Sequence, residues 1–366
     1  MIAGRNLLVL LSCGLSVVLG LALRAGGAEG ASTGTKDGKA EADQIVIGLS
    51  LDTLKEERWQ RDRDMFVAEA ERLGAKVLVQ SANSDDRAQV SDVEKLLTNK
   101  VDVLVVVPHD GAAMAKAVTM AHEENTPVMA YDRMIESADL DLYISFDNKR
   151  VGALQAEYLV NVLPDHKGKI VRIYGSKTDS NAKLFKAGQD SVLDPLIAKG
   201  DIEVVFEDWA ENWKPENGKR IMNAAVTSRG KDFAGVLASN DGTAGGAIQA
   251  LSEEGLAGQK FVTGQDAELV ALQRIAAGTQ SMTIYKPLKL LAKRAAQLAF
   301  DLAKKRIVVA NTTVNNGKGD VPSVLLDVVT VTKDNIKETV VADGFHKQED
   351  VYLGVSADAQ PKAATP

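Results

Sequence analysis

VDVLVVVPHDGAAMAKAVTMAHEENTPVMAYDR, residues 101–133, decides the fold. A β-branched apolar run at 102–107 is stopped by Pro108. The stretch 112–124 is amphipathic and long enough for a helix, and a second apolar run at 127–131 ends on Asp132-Arg133. Strand, helix and strand in this order make a βαβ unit, and βαβ units build parallel sheets. In open parallel sheets, ligands bind outside the carboxyl ends of the strands. Asp132 and Arg133 therefore stand where a ligand would be.

The same beat recurs in both directions. VIGLS is followed by Arg58 and Trp59, KIVRIYG by Asp179 and Asn181, and EVVFED by Trp213. GVLAS is followed by Asn240-Asp241, FVTGQ by Asp266, and SMTIY by Lys286. These side chains are planar, polar or aromatic, with no His, Cys or Ser nucleophile among them. They suit holding a polyhydroxylated molecule better than reacting with it. The alternation predicts an α/β fold of two similar halves that meet near 146–151. A late helix at 287–305, a β-like run at 323–331 and a short helix near 334–339 are appended to both halves. Such appendages require several chain crossings between the halves, and hence a hinge of parallel strands.

The chain has 366 residues, 45% of them apolar and 25% charged, enough for two ordinary cores. A net charge of -7 disfavours nucleic acid as a partner. The lone cysteine, Cys13, excludes an intramolecular disulfide. Arg5, the apolar stretch to about Leu23 and the small residues Ala25–Ala28 form a secretory signal at 1–28. A membrane anchor would be the alternative, but the stretch is about 17 residues, the lower limit for spanning. Cys13 closes a short lipoprotein-like box, so a lipid anchor is the lesser alternative to cleavage near Ala25–Ala28. Residues 29–43 read as a polar linker and 348–366 as a disordered tail.

Each candidate residue has a structural reading beside the functional one. Asp132-Arg133 can accept from and donate to sugar hydroxyls, or form a local ion pair. Asp241 reads as the cap of the helix after GVLAS, which leaves Asn240 for a ligand. One of Asp179 and Asn181 caps the helix starting near Ala182, and the other is free. Lys286 is either a ligand donor or a solvated charge at a chain crossing. Trp59 and Trp213 lie in charged surroundings that do not read as core, so they are expected to sandwich a pyranose ring, with Trp209 a weaker candidate. No Gly-rich nucleotide fingerprint is present. His109, His122, His166 and His346 have no metal spacing, so neither cofactor nor metal is expected. Asp132 and Asp266 could in principle serve a glycosidase, but each sits beside donors that favour ground-state hydrogen bonding.

RWQRDRDMF, GAKVLVQSAN, VMAYDRMI, DLYISFDN, NAKLFKAGQ, ASNDGTAGGAIQALS, GQDAEL and RIAAGTQSMTIYKP resemble the D-xylose-binding proteins of bacterial ABC transporters. The resemblance runs from about Ile45 to Lys347. It implies a type I periplasmic binding protein, with two Rossmann-like lobes of parallel sheet joined by a three-crossing hinge. One lobe would comprise 44–148 plus 287–312, the other 149–286 plus 313–347. The ligand contacts it implies are Arg58, Asp132, Arg133, Asp179, Asn181, Trp213, Asn240, Asp266 and Lys286, with Trp59 as the second stacking ring. The expected protein is an exported, periplasmic, monomeric, non-enzymatic carrier that hands D-xylose to a membrane permease, another pentose or related monosaccharide being the alternative. A repressor with the same lobes would need a helix-turn-helix where this chain has its leader. A sugar-processing enzyme would need an acid/base pair or metal.

Overall fold

The computed structural model describes residues 44–354. The leader and linker readings at 1–43 fall outside the described residues, as does 355–366.

The first lobe contains β1 (Val46–Leu51), α1 (Glu57–Arg72), β2 (Lys76–Ser81), α2 (Asp86–Thr98), β3 (Val103–Val107), α3 (Ala115–Glu123), β4 (Val128–Tyr131) and β5 (Leu142–Phe146). The chain then enters the second lobe with α4 (Asn148–Val162), β6 (Gly168–Tyr174), α5 (Ser180–Ala198), β7 (Ile202–Trp209), α6 (Pro215–Arg229), β8 (Gly235–Ala238), α7 (Asp241–Glu253), β9 (Phe261–Val262), α8 (Leu269–Ala277) and β10 (Met282–Tyr285). It returns for α9 (Leu288–Ala303), β11 (Thr312–Asn315) and β12 (Asp320–Leu326). It crosses once more to β13 (Val329–Thr332) and α10 (Gln348–Val351).

The first sheet has the order β11-β12-β5-β4-β3-β1-β2, the second β7-β6-β8-β9. Each therefore begins with the doubly wound order in which the first strand lies between the second and third. Residues 103–107 of β3 are fully buried, because helices cover both faces. α1 and α9 supply Trp59, Phe66, Leu291 and Ala295 to one face of the first sheet, and α2 and α3 supply Val93, Leu96 and Val118 to the other. In the second lobe, α6 and α7 cover one face and α4 and α5 the other. α4 and α5 touch through glycines. A Cβ on Gly152 would fall 1.9 Å from the Phe185 carbonyl oxygen, and one on Gly188 1.9 Å from that of Lys149. This close approach seats the first two turns of α5, which carry Asn181 and Phe185.

Three features differ from the sequence expectation. First, β12 pairs in parallel with β5, Ser323 opposite Tyr143 and Leu326 opposite Phe146, so the segment from Thr312 to Leu326 is bonded to the first lobe and not the second. Second, the run expected at 323–331 is two strands. β13 pairs antiparallel with β10 instead, and the break at Asp327-Val328 is the third crossing. An apolar run has no local mark of which sheet receives which half. Third, the tail expected from 348 onward includes α10, whose Val351 and neighbour Tyr352 are buried against α8 and β13. No helix among the described residues is long and apolar enough to cross a membrane.

Candidate ligand-binding site between the lobes

β4 and β9 end alike. Asp132 follows β4 with φ 63 and donates its backbone N–H to Ile144 O at 2.8 Å. Asp266 follows β9 with φ 98 and donates to Ile284 O at the same distance. Asp tolerates the left-handed conformation better than most residues, because its short side chain bonds locally. Each turn carries a carboxylate past the end of its sheet, Asp266 onto the cavity wall and Asp132 just behind it.

Arg58, in the first turn of α1, joins the two carboxylates. Its guanidinium pairs with Asp132, donates from Nη1 to Asp266 at 3.3 Å and from Nε to Asp62 at 3.2 Å. Burial opposes its charge, but Asp132, Asp266 and Asp62 outweigh that and hold it protonated. Burial also pushes the Asp62 carboxyl up to about 6, against the pull of Arg58 and the Tyr131 hydroxyl, which donates to it at 2.5 Å. Asp132 stays below its ordinary range because Arg58 and Lys286 overcome the burial that would raise it.

Arg133 makes the second bridge. It donates to Asp52 in its own lobe at 2.7 Å and pairs with Asp179 of the second lobe at 2.9 Å. Asp179 caps α5 by accepting from Asn181 N at 2.8 Å, and its other oxygen accepts from Trp213 Nε1 at 2.9 Å. Trp213 is further fixed by the edge of Phe185 and by Gly175, where a Cβ would fall 1.9 Å from the indole. Asn181, left without the capping role, is not free either: it donates to Asp132 Oδ1 at 3.0 Å and accepts from Asn148 at 2.8 Å. Met134 N–H donating to Ser180 Oγ at 2.9 Å and the Lys183–Glu136 pair at 2.7 Å add to the closed contact between the lobes.

Arg58, Trp59, Arg133, Asp179, Asn181, Trp213, Asn240, Asp266 and Lys286 line one cavity of about 50 Å³, together with Glu56, Phe185, Gln265 and Glu268. Asp132 lies one layer behind, its oxygens taken by Arg58 and Asn181. Trp59 lies on the cavity wall as expected, but the reading of its surroundings as outside the core is a correction. Trp59 is 4% exposed and belongs to the first-lobe core, with Arg58 and Arg133 at 4.4 and 5.1 Å from its ring centroid. Of the charged neighbours that suggested a surface, Arg58 packs over the ring and Glu56 shares the cavity wall, so their charge does not mark solvent. The cap is also reversed. Asn240 accepts from Thr243 N at 3.0 Å and caps α7 while lining the cavity. Asp241 is buried instead, accepting from Gln280 at 2.7 Å, Thr283 at 2.9 Å and Glu268 N at 3.0 Å, which braces the loop that carries Asp266.

Three polar atoms of the lining are buried without a hydrogen-bond partner: Lys286 Nζ, Gln265 Oε1 and Glu56 Oε2. Lys286 is 1% exposed, with Phe185 and Phe146 ring centroids 5.0 and 5.6 Å from its ammonium. Burial lowers its pKa, and Asp132 only partly restores it. Burial raises Glu56, and it also raises Glu268, helped there by the neighbouring Asp241. Unpaired buried groups are uncommon and mark functional places. Here one donor and two acceptors converge on one cavity. No cluster of His, Cys, Asp and Glu among the described residues could hold a metal ion.

The periplasmic binding protein domain family matches residues 47–307. The chain belongs to this family. The binding protein is 50% identical over 313 residues to the D-xylose-binding periplasmic protein of Haemophilus influenzae, spanning 86% of this chain and 94% of the relative. It is 51% identical over 312 residues to the protein of that name in Escherichia coli K12, spanning 85% and 94%. Among solved structures it resembles a carbohydrate-transporter solute-binding protein from Chloroflexus aurantiacus in complex with D-glucose, with a TM-score of 0.78, 31% identity, and 84% and 98% of the two chains covered. Its fold is thus that of the type I binding proteins.

Proposed function

We propose that this binding protein captures D-xylose between its lobes and delivers it to the membrane permease of an ABC transporter. The protein is a carrier and not an enzyme, in keeping with its family. The observation that carries the reading is the convergence of Lys286 Nζ, Gln265 Oε1 and Glu56 Oε2, buried and unpaired, beside the Asp266 carboxylate and the Asn240 amide. A pyranose offers each hydroxyl as both donor and acceptor, so one sugar can satisfy cations, carboxylates and amides together. Trp213 adds an apolar face for the ring C–H groups. Arg58 and Arg133 pair with carboxylates of both lobes and so hold the lobes together, and a sugar touching both lobes would favour that closed state further. About half of the aligned residues are identical in two D-xylose-binding relatives, which supports xylose as the ligand.

Residues 1–28 support export to the periplasm, with a lipid anchor at Cys13 the lesser alternative, and we take the carrier to act as a monomer. Another pentose or a related monosaccharide is the second reading, favoured by the D-glucose complexes of solved neighbours. Calorimetric titration against pentoses and hexoses separates the two. D-Xylose should bind tightly and D-ribose and D-glucose much more weakly, since each mismatched hydroxyl leaves a buried group unpaired at roughly 1–3 kcal/mol. Equal affinity for xylose and ribose refutes the xylose assignment.

A further inference from the structure

A second connection between the lobes lies outside the sugar cavity. Arg61 stands three residues after Arg58 on α1, and hence on the same side of the helix. Its Nη1 donates to the Phe345 carbonyl at 2.7 Å, and its guanidinium lies 4.7 Å from the Phe345 ring centroid. Nε and Nη2 both donate to Glu57, at 2.9 and 2.6 Å, so the first lobe fixes the guanidinium's direction.

Phe345 belongs to the second lobe. Its ring packs on Tyr285 at 5.1 Å and on His346 at 4.6 Å, and His346 Nε2 bonds Ala267 O at 2.9 Å. Ala267 directly follows Asp266, the carboxylate that Arg58 holds. Two arginines on one face of α1 therefore grip a single block of the second lobe. Arg58 takes the Asp266 side chain inside the cavity, and Arg61 takes the Phe345 carbonyl outside it.

We propose that Arg61 and Phe345 form a latch that sets sugar affinity by stabilising the closed lobes without touching the sugar. The proposal rests on the reading that a monosaccharide closes the two lobes. The apparent dissociation constant is the intrinsic one divided by the fraction of closed, binding-competent protein. A contact that acts only on that fraction changes affinity for every sugar by the same factor. A residue that meets the sugar changes some sugars more than others, because hydroxyl patterns differ. Arg61 is outside the cavity lining, so it falls in the first class.

The test is titration of the full chain with D-xylose and with D-glucose, for wild type, Arg61→Met, Phe345→Leu and the double variant. Arg61→Met keeps the stem length and removes the donors. We expect roughly ten-fold weaker binding of both sugars by Arg61→Met, from a lost charge-assisted bond to a carbonyl. The xylose-to-glucose affinity ratio should stay within about two-fold, and stopped-flow tryptophan fluorescence should show faster release. The double variant should be little worse than either single one, because the two residues act through one contact. Arg61 is one-third exposed, so this variant carries the test even if Phe345→Leu fails to fold. Wild-type affinity retained in Arg61→Met overturns the latch, as does a shift in the ratio, which would place Arg61 among the sugar contacts. If wild type binds neither sugar, the sugar reading fails and the latch falls with it.

Discussion

Replacing Lys286 by Met should strengthen the sugar-free protein and weaken sugar binding in the same molecule. Lys286 stands at the crossing between β10 and α9, 1% exposed, with no hydrogen-bond acceptor for its ammonium. A buried donor left unpaired costs about 1–3 kcal/mol, and more for a charged one, partly offset here by the field of Asp132 and Asp266. Methionine fills similar volume and removes that cost, while Asp132 keeps Arg58 and Asn181. We expect the sugar-free variant to gain about 1–3 kcal/mol and to melt several degrees higher. With sugar, the variant lacks a charged donor, a loss of about 1.5–3 kcal/mol, or roughly 10- to 150-fold in affinity.

The pH dependence has a definite sign. Burial lowers the folded-state pKa of Lys286 below its ordinary 10.5, so the folded protein holds this proton less tightly than the unfolded chain. The destabilisation is complete below the folded-state pKa and fades as pH rises toward 10.5. The advantage of Met over Lys is therefore largest near neutral pH. Calorimetric melting without sugar and titration with D-xylose check both halves. A variant that melts lower than wild type, or binds xylose within about three-fold of it, would refute the reasoning.

Two further outcomes are expected. Trp213→Ala should weaken xylose binding by about 2–4 kcal/mol, from lost stacking and a cavity, with little change in sugar-free melting; Gly175→Ala should weaken it too, because its Cβ would fall 1.9 Å from the indole, and a collapse of melting in the tryptophan variant would make Trp213 a core residue instead. Asp62→Asn should remove a pH slope: burial raises Asp62 from 3.8 to about 6, so its favourable contribution is present below 3.8 and lost as pH rises through about 6. Urea titrations of wild type and Asp62→Asn across that window should diverge by up to about 3 kcal/mol, and parallel curves would show that Asp62 is not held as its neighbours suggest.

Strand ends were legible because their signals are local. A β-branched run, a stop and a polar planar residue occupy consecutive positions, and the doubly wound arrangement puts every such residue on one rim. That logic reached Arg133, Asp179, Asn240, Asp266 and Lys286 without any tertiary information. It also reached Asp132, whose backbone turn and Arg58 pairing place it just behind the cavity wall. Glu56 and Gln265 were missed although each neighbours or nearly neighbours a residue that was found, because nothing local distinguishes an unpaired buried carboxylate or amide from a solvated one. Phe185 was missed because it lies one helical turn beyond Asn181 on a face that otherwise reads as packing.

By itself, then, the order of residues determined the βαβ rhythm, the two similar halves and the rim on which the cavity lies, since all three depend on periodicity and on neighbours in the chain. Only the tertiary structure decided that Thr312–Leu326 joins the first lobe, because that depends on hydrogen bonds to β5, far away in sequence. Only it decided that Asn240 and not Asp241 caps α7, because Asp241 is claimed by Gln280 and Thr283, about forty positions away. The burial of Trp59 was decided in the same way, although the residue also lines the cavity. Its flanks are charged, yet the helix turns its ring into the first-lobe core beneath two guanidiniums, and no local signal reports what covers a ring once the lobes have met.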